Sequence, residues 1–549
     1  MIPTSPFSSL EALAALAVTF VAWKFLRALT RKDSLHTVPG PKGSYLTGCV
    51  AEMFHADAWD FHNSLAKNYP GIARVPAIMG HSVLHVSDPK ALYHVMLKDQ
   101  STFDETDDFL RVNKLVFGPG LFATMGETHR KQRKMLNPVF SIAHMREMVP
   151  IFYNVGYKLR DSIRLEISRG KTEIDILSWM SRTALELIGQ SGLGYSFDKL
   201  EPDSEPHVFY KSLKNLMQSQ ASFALARIVV LPRVADIGSP RFRRLVVDLL
   251  PWKRLHDLRD MVDVMHNTSV EIYESKKRAL EMGDQDLADQ VGNGKDVMSI
   301  LLKANLAASE EERMPEDELI GQMSTITFAG MDTTSNALSR TLLLLSEHHD
   351  IQEKLRKEII DAKREHGELM YDELHHLPYL DAICRETLRL HPPVPFVVRQ
   401  ANQDAVLPVS RPFTSLDGKE TNEVLVPHGT TLVISVMACN RDPLIWGPDA
   451  HEWKPERWLS PLPDSVVNAK VPGVYSHLMT FVGGSRACIG FKFSQLEMKV
   501  ILCLLLESFR FDTTEKKIKW QFVGVTQPAI DEPSAGAPKL QMPLKVSLL

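Results

Sequence analysis

Residues 481–490 read Phe-Val-Gly-Gly-Ser-Arg-Ala-Cys-Ile-Gly. The chemistry this run can do centres on Cys488, because an ionised thiol is a soft, electron-rich metal ligand once nearby donors stabilise its charge. Gly484 and Gly490 carry no Cβ, so the backbone can come close to a bound group and turn its amides toward the sulfur. Arg486, two residues earlier, offers a fork of donors to an anionic substituent of that group. Phe481 supplies a flat apolar wall. From Phe491 to Leu506 the pattern is helical, and the positive end of that helix dipole also favours an anionic sulfur. A lone cysteine is ordinarily inert packing. Five positions (Phe, Gly, Arg, Cys, Gly) at these spacings, however, arise by chance in a chain this long with a probability on the order of 10⁻⁴ at average usage.

Two further runs carry groups able to do chemistry. Ala329-Gly330-Met331-Asp332-Thr333-Thr334 sits inside the longest periodic segment, residues 316–347. Pro315 followed by Glu316, Asp317 and Glu318 makes a good helix start, since acidic side chains complement the N-terminal dipole. About thirty residues at 1.5 Å each make a helix of roughly 45 Å, long enough to cross a whole domain. Glu386 and Arg389 are three apart and share one face of another helix.

The elements that must position these groups follow from periodicity. Residues 72–86 alternate apolar and polar around Met79-Gly80 and read as a hairpin. Beyond Gly126 the chain is mainly helical in period to about residue 400. A strand-rich zone covers residues 405–437 with Asp417-Gly418 as a turn, and residues 281–295 and 529–538 read as loops. The fold expected is mainly α with small β-sheets (α+β), as one large domain over residues 46–549. His81 and His85 lie four apart without a helical zinc motif, and His375-His376 reads as a solvated loop. Residues 192–194 (GLG) lack the rest of a dinucleotide fingerprint.

Composition excludes several classes. Of 549 residues, 44% are hydrophobic and 24% charged, which rules out wholesale disorder and a multi-span membrane protein. A net charge of −4 provides no drive toward nucleic acid. The five cysteines include no CxxC pair, so neither a disulfide framework nor a structural zinc site is expected. Residues 10–29 (LEALAALAVTFVAWKFLRAL) span about 30 Å as a helix and read as an uncleaved membrane anchor. Basic residues follow the run, which leaves residues 1–9 outside the cytosol and the body inside it. Residues 30–45, containing Val38-Pro39-Gly40-Pro41, read as a stiff hinge.

The cysteine run resembles that of the cytochromes P-450, the haem-thiolate monooxygenases. Ala329 to Thr334, Glu386-Thr387-Leu388-Arg389 and Pro455-Glu456-Arg457-Trp458 match in the family's order, and the anchor with its hinge looks like the membrane-bound eukaryotic, fungal microsomal branch. The resemblance implies haem b with Cys488 as axial ligand, the sulfur pushing electrons toward O–O cleavage. It implies that Ala329 and Gly330 leave room beside the haem, that Thr333 bonds iron-bound oxygen and that Asp332 relays protons to it. Glu386, Arg389 and Arg457 would form a buried structural ion network. Arg399, Arg486 and Arg133 would hold the propionates, with His129 standing where many relatives have Trp.

The pocket, by the same resemblance, would draw on residues 109–122, 323–327, 394–398 and 523–525, and would take a lipophilic substrate such as a terpenoid. Arg130, Lys131, Arg133, Lys134 and Lys492 would form a basic face for an NADPH-cytochrome reductase, with cytochrome b5 as a helper, at the endoplasmic reticulum membrane. Two other readings share the cysteine loop: an enzyme using peroxide or rearranging its substrate without a reductase, and a non-catalytic haem-binding sensor. The intact Asp332-Thr333 pair argues against the first.

Overall fold

Alternating apolar positions put one face of residues 72–86 inward, and the chain closes there as the expected hairpin. In the computed structural model, which describes Thr19 and residues 35–223, 226–227, 230–283, 294–531 and 538–549, five strands build the main sheet. They are β1 (Ile72–Pro76), β2 (Ser82–Val86), β3 (Phe103–Asp104), β4 (Phe396–Ala401) and β5 (Thr431–Ser435). Their order is β1-β2-β5-β4-β3, with β2 and β5 parallel and the other pairs antiparallel. Met79, at φ 56°, makes the tight turn between β1 and β2.

Helices make up most of the rest. Those that position the site are α1 (Asp107–Phe117), α2 (Gly126–Leu136), α3 (Ile142–Ser168), α4 (Ile176–Leu187), α5 (Val208–Ala221), α6 (Pro240–Leu249), α7 (Lys253–Met282), α8 (Glu316–Glu347), α9 (Pro378–Leu390) and α10 (Phe491–Ser508). The mainly helical architecture with small sheets is thus as expected. α8 has the bounds its sequence announces: Pro315 precedes it and three carboxylates occupy its first turn. It is buried along most of its 32 residues. Two glycines let neighbours come close. A Cβ on Gly321 would stand 2.8 Å from the Gly120 nitrogen, and one on Gly156 of α3 would meet Leu504 of α10 at 2.4 Å.

Several expectations are corrected. The strand zone ends at Ser435, whose hydroxyl caps a helical turn over Val436–Asn440 by accepting from the Ala438 amide at 3.2 Å. The loop expected at 529–538 begins later, because Val525–Ile530 is a strand. His375 ends a short helix and stacks on Tyr371 at 4.2 Å, so it is not a solvated loop residue. Much of the expected loop at 281–295 and the anchor at 10–29 lie outside the described residues, Thr19 apart. Among the described residues no helix is long and apolar enough to cross a membrane. The described part of the hinge is pinned along β1: the Arg74 amide donates to Pro39 O at 2.9 Å, and any Cβ on Gly40 would strike Arg74 O.

Candidate functional site

The cysteine loop is shaped by its own backbone. The Cys488 amide donates to Phe481 O at 2.9 Å and the Ala487 amide to Gly484 O at 3.1 Å, closing a tight turn ahead of α10. Gly484 takes φ 77°, and a Cβ there would lie 1.9 Å from Met96 O. Gly483, which the sequence reading passed over, is equally confined, since its Cβ would meet Pro472 O at 1.7 Å. Gly490 differs: a Cβ there would have no protein atom within 4 Å. The Cys488 side chain is exposed, whereas the other four cysteines are buried. Surrounding protein pushes the Cys488 thiol pKa up, opposed by a backbone hydrogen bond from Gly490 and by the charge of Arg133.

Cations gather beside this sulfur. Arg133 of α2 donates to Ala487 O, inside the loop. His129, one turn earlier, is buried, and burial with the charges of Arg486 and Arg133 lowers its pKa to about 4. It is therefore a neutral imidazole at physiological pH, with one N–H to donate. Arg486 donates to Thr124 O at 2.8 Å and faces Asp104 at 3.4 Å. Arg399 of β4 pairs with Glu105 at 2.9 Å and is almost fully buried. Asp104 and Glu105 read as ordinary polar positions in sequence. Only the β3–β4 pairing brings them under these arginines.

On α8, Phe328, Ala329, Gly330 and Thr333 are only half-buried, although the residues on either side of this stretch are buried. The Thr333 hydroxyl donates to Ala329 O at 2.9 Å, which leaves its oxygen free to accept. Gly330 has a packing role besides the one the resemblance implies. A Cβ there would meet Ile188 at 3.1 Å, so the glycine also packs α8 against the end of α4. Thr334 donates to Ser494 of α10 at 3.1 Å, tying the Thr333 turn to the helix that follows Cys488. Asp332 is 1% exposed and pairs with Lys214 of α5 at 3.2 Å, a partner that no local sequence signal reveals.

The expected ion network is assembled. Glu386 takes both forks of Arg389 at 2.8 Å, the Arg457 guanidinium at 3.4 Å and the Trp458 indole at 2.9 Å. The segments expected to line a pocket are present but unequal. Phe117 meets Phe328 at 4.7 Å, and Val397 and Val398 are half-buried, while Met323 and Thr327 are fully buried. The basic run of α2 does not present itself as a block. Arg133 turns inward, Lys134 pairs with Glu312 at 2.6 Å, Lys131 donates to Arg313 O at 2.7 Å, and Arg130 pairs with Glu127 at 3.2 Å.

A flat, dianionic cofactor with a central metal needs a metal ligand, clearance beside it and cations for its acid groups. Cys488, the clear side of Gly490 and the guanidinium groups of Arg133 and Arg486 supply all three, with the neutral His129 as a further N–H donor, so the residues present fit a haem of the thiolate-ligated class. Comparison with known proteins agrees. The cytochrome P450 family profile matches residues 38–529. The chain is 48% identical to cytochrome P450 monooxygenase 91 of Postia placenta over 98% of its own length and 99% of that relative. It is 43% identical to a ganoderic acid synthetase of Ganoderma lucidum (99% and 100% covered) and 36% identical to a P450 monooxygenase of Hericium erinaceus (98% of each). The chain belongs to the cytochrome P450 family and is a P450 monooxygenase, with haem b on a cysteine thiolate as its cofactor. Such enzymes use O2, a lipophilic substrate and an external redox partner.

Proposed function

We propose that this enzyme inserts one oxygen atom of O2 into a lipophilic metabolite of terpenoid class, using electrons from an NADPH-cytochrome reductase, with cytochrome b5 as an auxiliary donor. The observation that carries the reading is the accessible Cys488 thiol beside Gly490 and Arg133, ahead of the helix that Thr334 ties to α8 through Ser494. Cys488 would hold the iron, Arg133, Arg486, Arg399 and His129 would hold its acid groups, and Phe481 and Ala329 would supply apolar surface to the cofactor. Bound haem supplies the dioxygen chemistry. The protein's own part is to exclude water, hold the substrate and meter protons: the Thr333 oxygen accepts and passes a proton at its hydroxyl, and Asp332 resupplies it. Glu386, Arg389 and Arg457 are structural. Support for the substrate class comes from the apolar and aromatic segments around Phe117 and Phe328 and from the relative named for ganoderic acid.

The same reading places the catalytic domain, residues 46–549, on the cytosolic face of the endoplasmic reticulum membrane, anchored by residues 10–29. An exposed apolar surface supports it. α6 buries none of its residues, and Ile237, Leu245, Leu249 and Trp252 are exposed beside Arg241 and Arg243. Such a surface suits the boundary between headgroups and acyl chains. The test is spectroscopic. Reduced protein under carbon monoxide is expected to show the red-shifted Soret band of a thiolate-ligated haem, and Cys488→Ala to lose it. An unchanged band in that variant would overturn the assignment. Product analysis after NADPH and reductase turnover, on compounds that shift the haem spin state, then names the substrate.

A further inference from the structure

We infer that Gln322 and Thr325 of α8 hold an oxygen atom that the substrate already carries, at the end remote from the carbon to be oxidised. This rests on the monooxygenase reading above and narrows its lipophilic substrate to one bearing a hydroxyl or carbonyl group.

The threonines of α8 use their hydroxyls differently. Thr327, Thr333 and Thr341 donate to the carbonyl four residues back, at 2.7, 2.9 and 2.9 Å, and Thr334 donates to Ser494. Thr325 does neither. It is 3% exposed, and its Oγ1 is closed off from solvent with no hydrogen-bond partner among the described residues. Gln322, three positions earlier and fully buried, is half used. Its Oε1 accepts from the Leu121 amide at 3.1 Å, while its Nε2 has no partner among the described residues. Gln132 of α2, equally buried against the same loop, is saturated. Its Oε1 accepts from Thr124 Oγ1 at 2.9 Å, and its Nε2 donates to Pro119 O at 2.9 Å and to Glu318 Oε2 at 2.8 Å. The loop at 119–124 therefore satisfies one glutamine and leaves the donor of the other open.

Helical spacing aims the open groups. Gln322, Thr325, Ala329 and Thr333 stand at i, i+3, i+7 and i+11, one stripe of α8. At 1.5 Å per residue, Thr325 lies about 12 Å and Gln322 about 16 Å along the helix from Thr333. The wall between is apolar, with Phe328 meeting Phe117 of α1 at 4.7 Å. An occupant of this stripe needs a lipophilic body of that length and one acceptor at its far end. Buried donors without an acceptor are costly, and a ligand oxygen that takes both removes the cost. Gly120 covers the place: a Cβ there would stand 2.7 Å from Thr325 Oγ1. Gly118, at φ 83°, and Gly120 give the stretch the backbone freedom to yield as the oxygen enters. The substrate accordingly comes from a reaction that has already oxygenated one end of it.

The test compares alcohols with hydrocarbons of the same skeleton, farnesol with farnesene and dodecanol with dodecane. Haem-loaded enzyme is titrated with each, and the spin-state shift gives the affinity. The wild type is expected to bind each alcohol about tenfold more tightly than its hydrocarbon, the effect of one hydrogen bond to a buried donor. With NADPH and reductase it should oxidise the alcohol near the end opposite the hydroxyl. Thr325→Val keeps the shape of the side chain and loses the hydroxyl, and should bring the ratio close to one, while Thr325→Ser should restore it. Gln322→Glu keeps the oxygen that Leu121 uses and removes the N–H groups, and should lower the ratio as well. The two sites test the anchor independently should one variant lose haem, which the carbon monoxide spectrum reports. A ratio near one in the wild type, whether from equal binding or from none, would overturn the anchor. So would a wild-type ratio in Thr325→Val or in Gln322→Glu. Absence of the thiolate spectrum in the wild type would instead overturn the parent reading.

Discussion

Behind the cysteine loop, Glu386 spends both oxygens on donors from Arg389, Lys454, Arg457 and Trp458. Asp332, as deeply buried on the opposite wall, meets Lys214 through one oxygen and leaves the other without a partner among the described residues. The two carboxylates look alike in a sequence: each lies in a long helix and each is next to a threonine. Their surroundings separate their tasks. A saturated carboxylate holds its neighbours in place and has no lone pair left for chemistry. A half-satisfied one costs about 1–3 kcal/mol for the orphaned atom, and a site that must exchange protons keeps that acceptor open. The cysteine wall is built to stay still and the α8 wall to pass something along.

That contrast can be broken at its strongest point first. Glu386→Ala strands Arg389 without its anion in the interior, and a broken buried pair of this kind costs about 3–5 kcal/mol. The expected result is a large drop in unfolding temperature with loss of haem. A variant that unfolds like the wild type would show that the network does not hold the wall. On the other side, Asp332→Asn and Thr333→Ala should fold and keep the carbon monoxide spectrum. Turnover should fall roughly 10²-fold, the lower end for a lost general acid–base group, with peroxide taking the electrons. Full coupling in both variants would remove the proton-handling role.

A finer comparison lies within the cysteine loop. Gly490→Ala meets no protein atom, so the haem-free fold should keep its unfolding temperature while haem content drops severalfold. Gly484→Ala, at positive φ and 1.9 Å from Met96 O, should instead fail to fold. If both lose haem to the same degree with intact folds, Gly490 is not the side that faces the ring. The smallest effect expected is a near cancellation. Val482 is β-branched at φ 46°, a conformation that costs a non-glycine residue of order 1–3 kcal/mol, and its side chain packs partly against the core. Val482→Gly relieves the strain but gives up that packing and makes the unfolded chain more flexible, so the unfolding free energy should change by less than about 1 kcal/mol, read as a nearly unchanged unfolding temperature.

Much of this was legible before any coordinates. The bounds of α8, the β1–β2 hairpin and the glycine-framed cysteine were readable because each depends on residues close together in the chain. The Glu386–Arg389 pair was readable for the same reason, being one helical turn apart. What escaped lies across long separations. Lys214 meets Asp332 across 118 positions, Arg399 meets Glu105 across 294, and no periodicity in either partner announces the other. The basic run of α2 is divided by its neighbours, because helical spacing does not tell that Arg133 will turn into the cysteine loop or which residues the segment at 312–313 will claim.

Local chemistry therefore sufficed to identify the family and its metal-binding sulfur, since a thiolate loop is made from consecutive residues whose backbone angles and missing side chains are written in their own types. The packing of α5 on α8, and of β3 beside β4, decided which carboxylates are neutralised and which stay open. Pairing energies of buried charges are set by distances of a few ångströms between segments remote in the chain, and only the folded arrangement determines those distances.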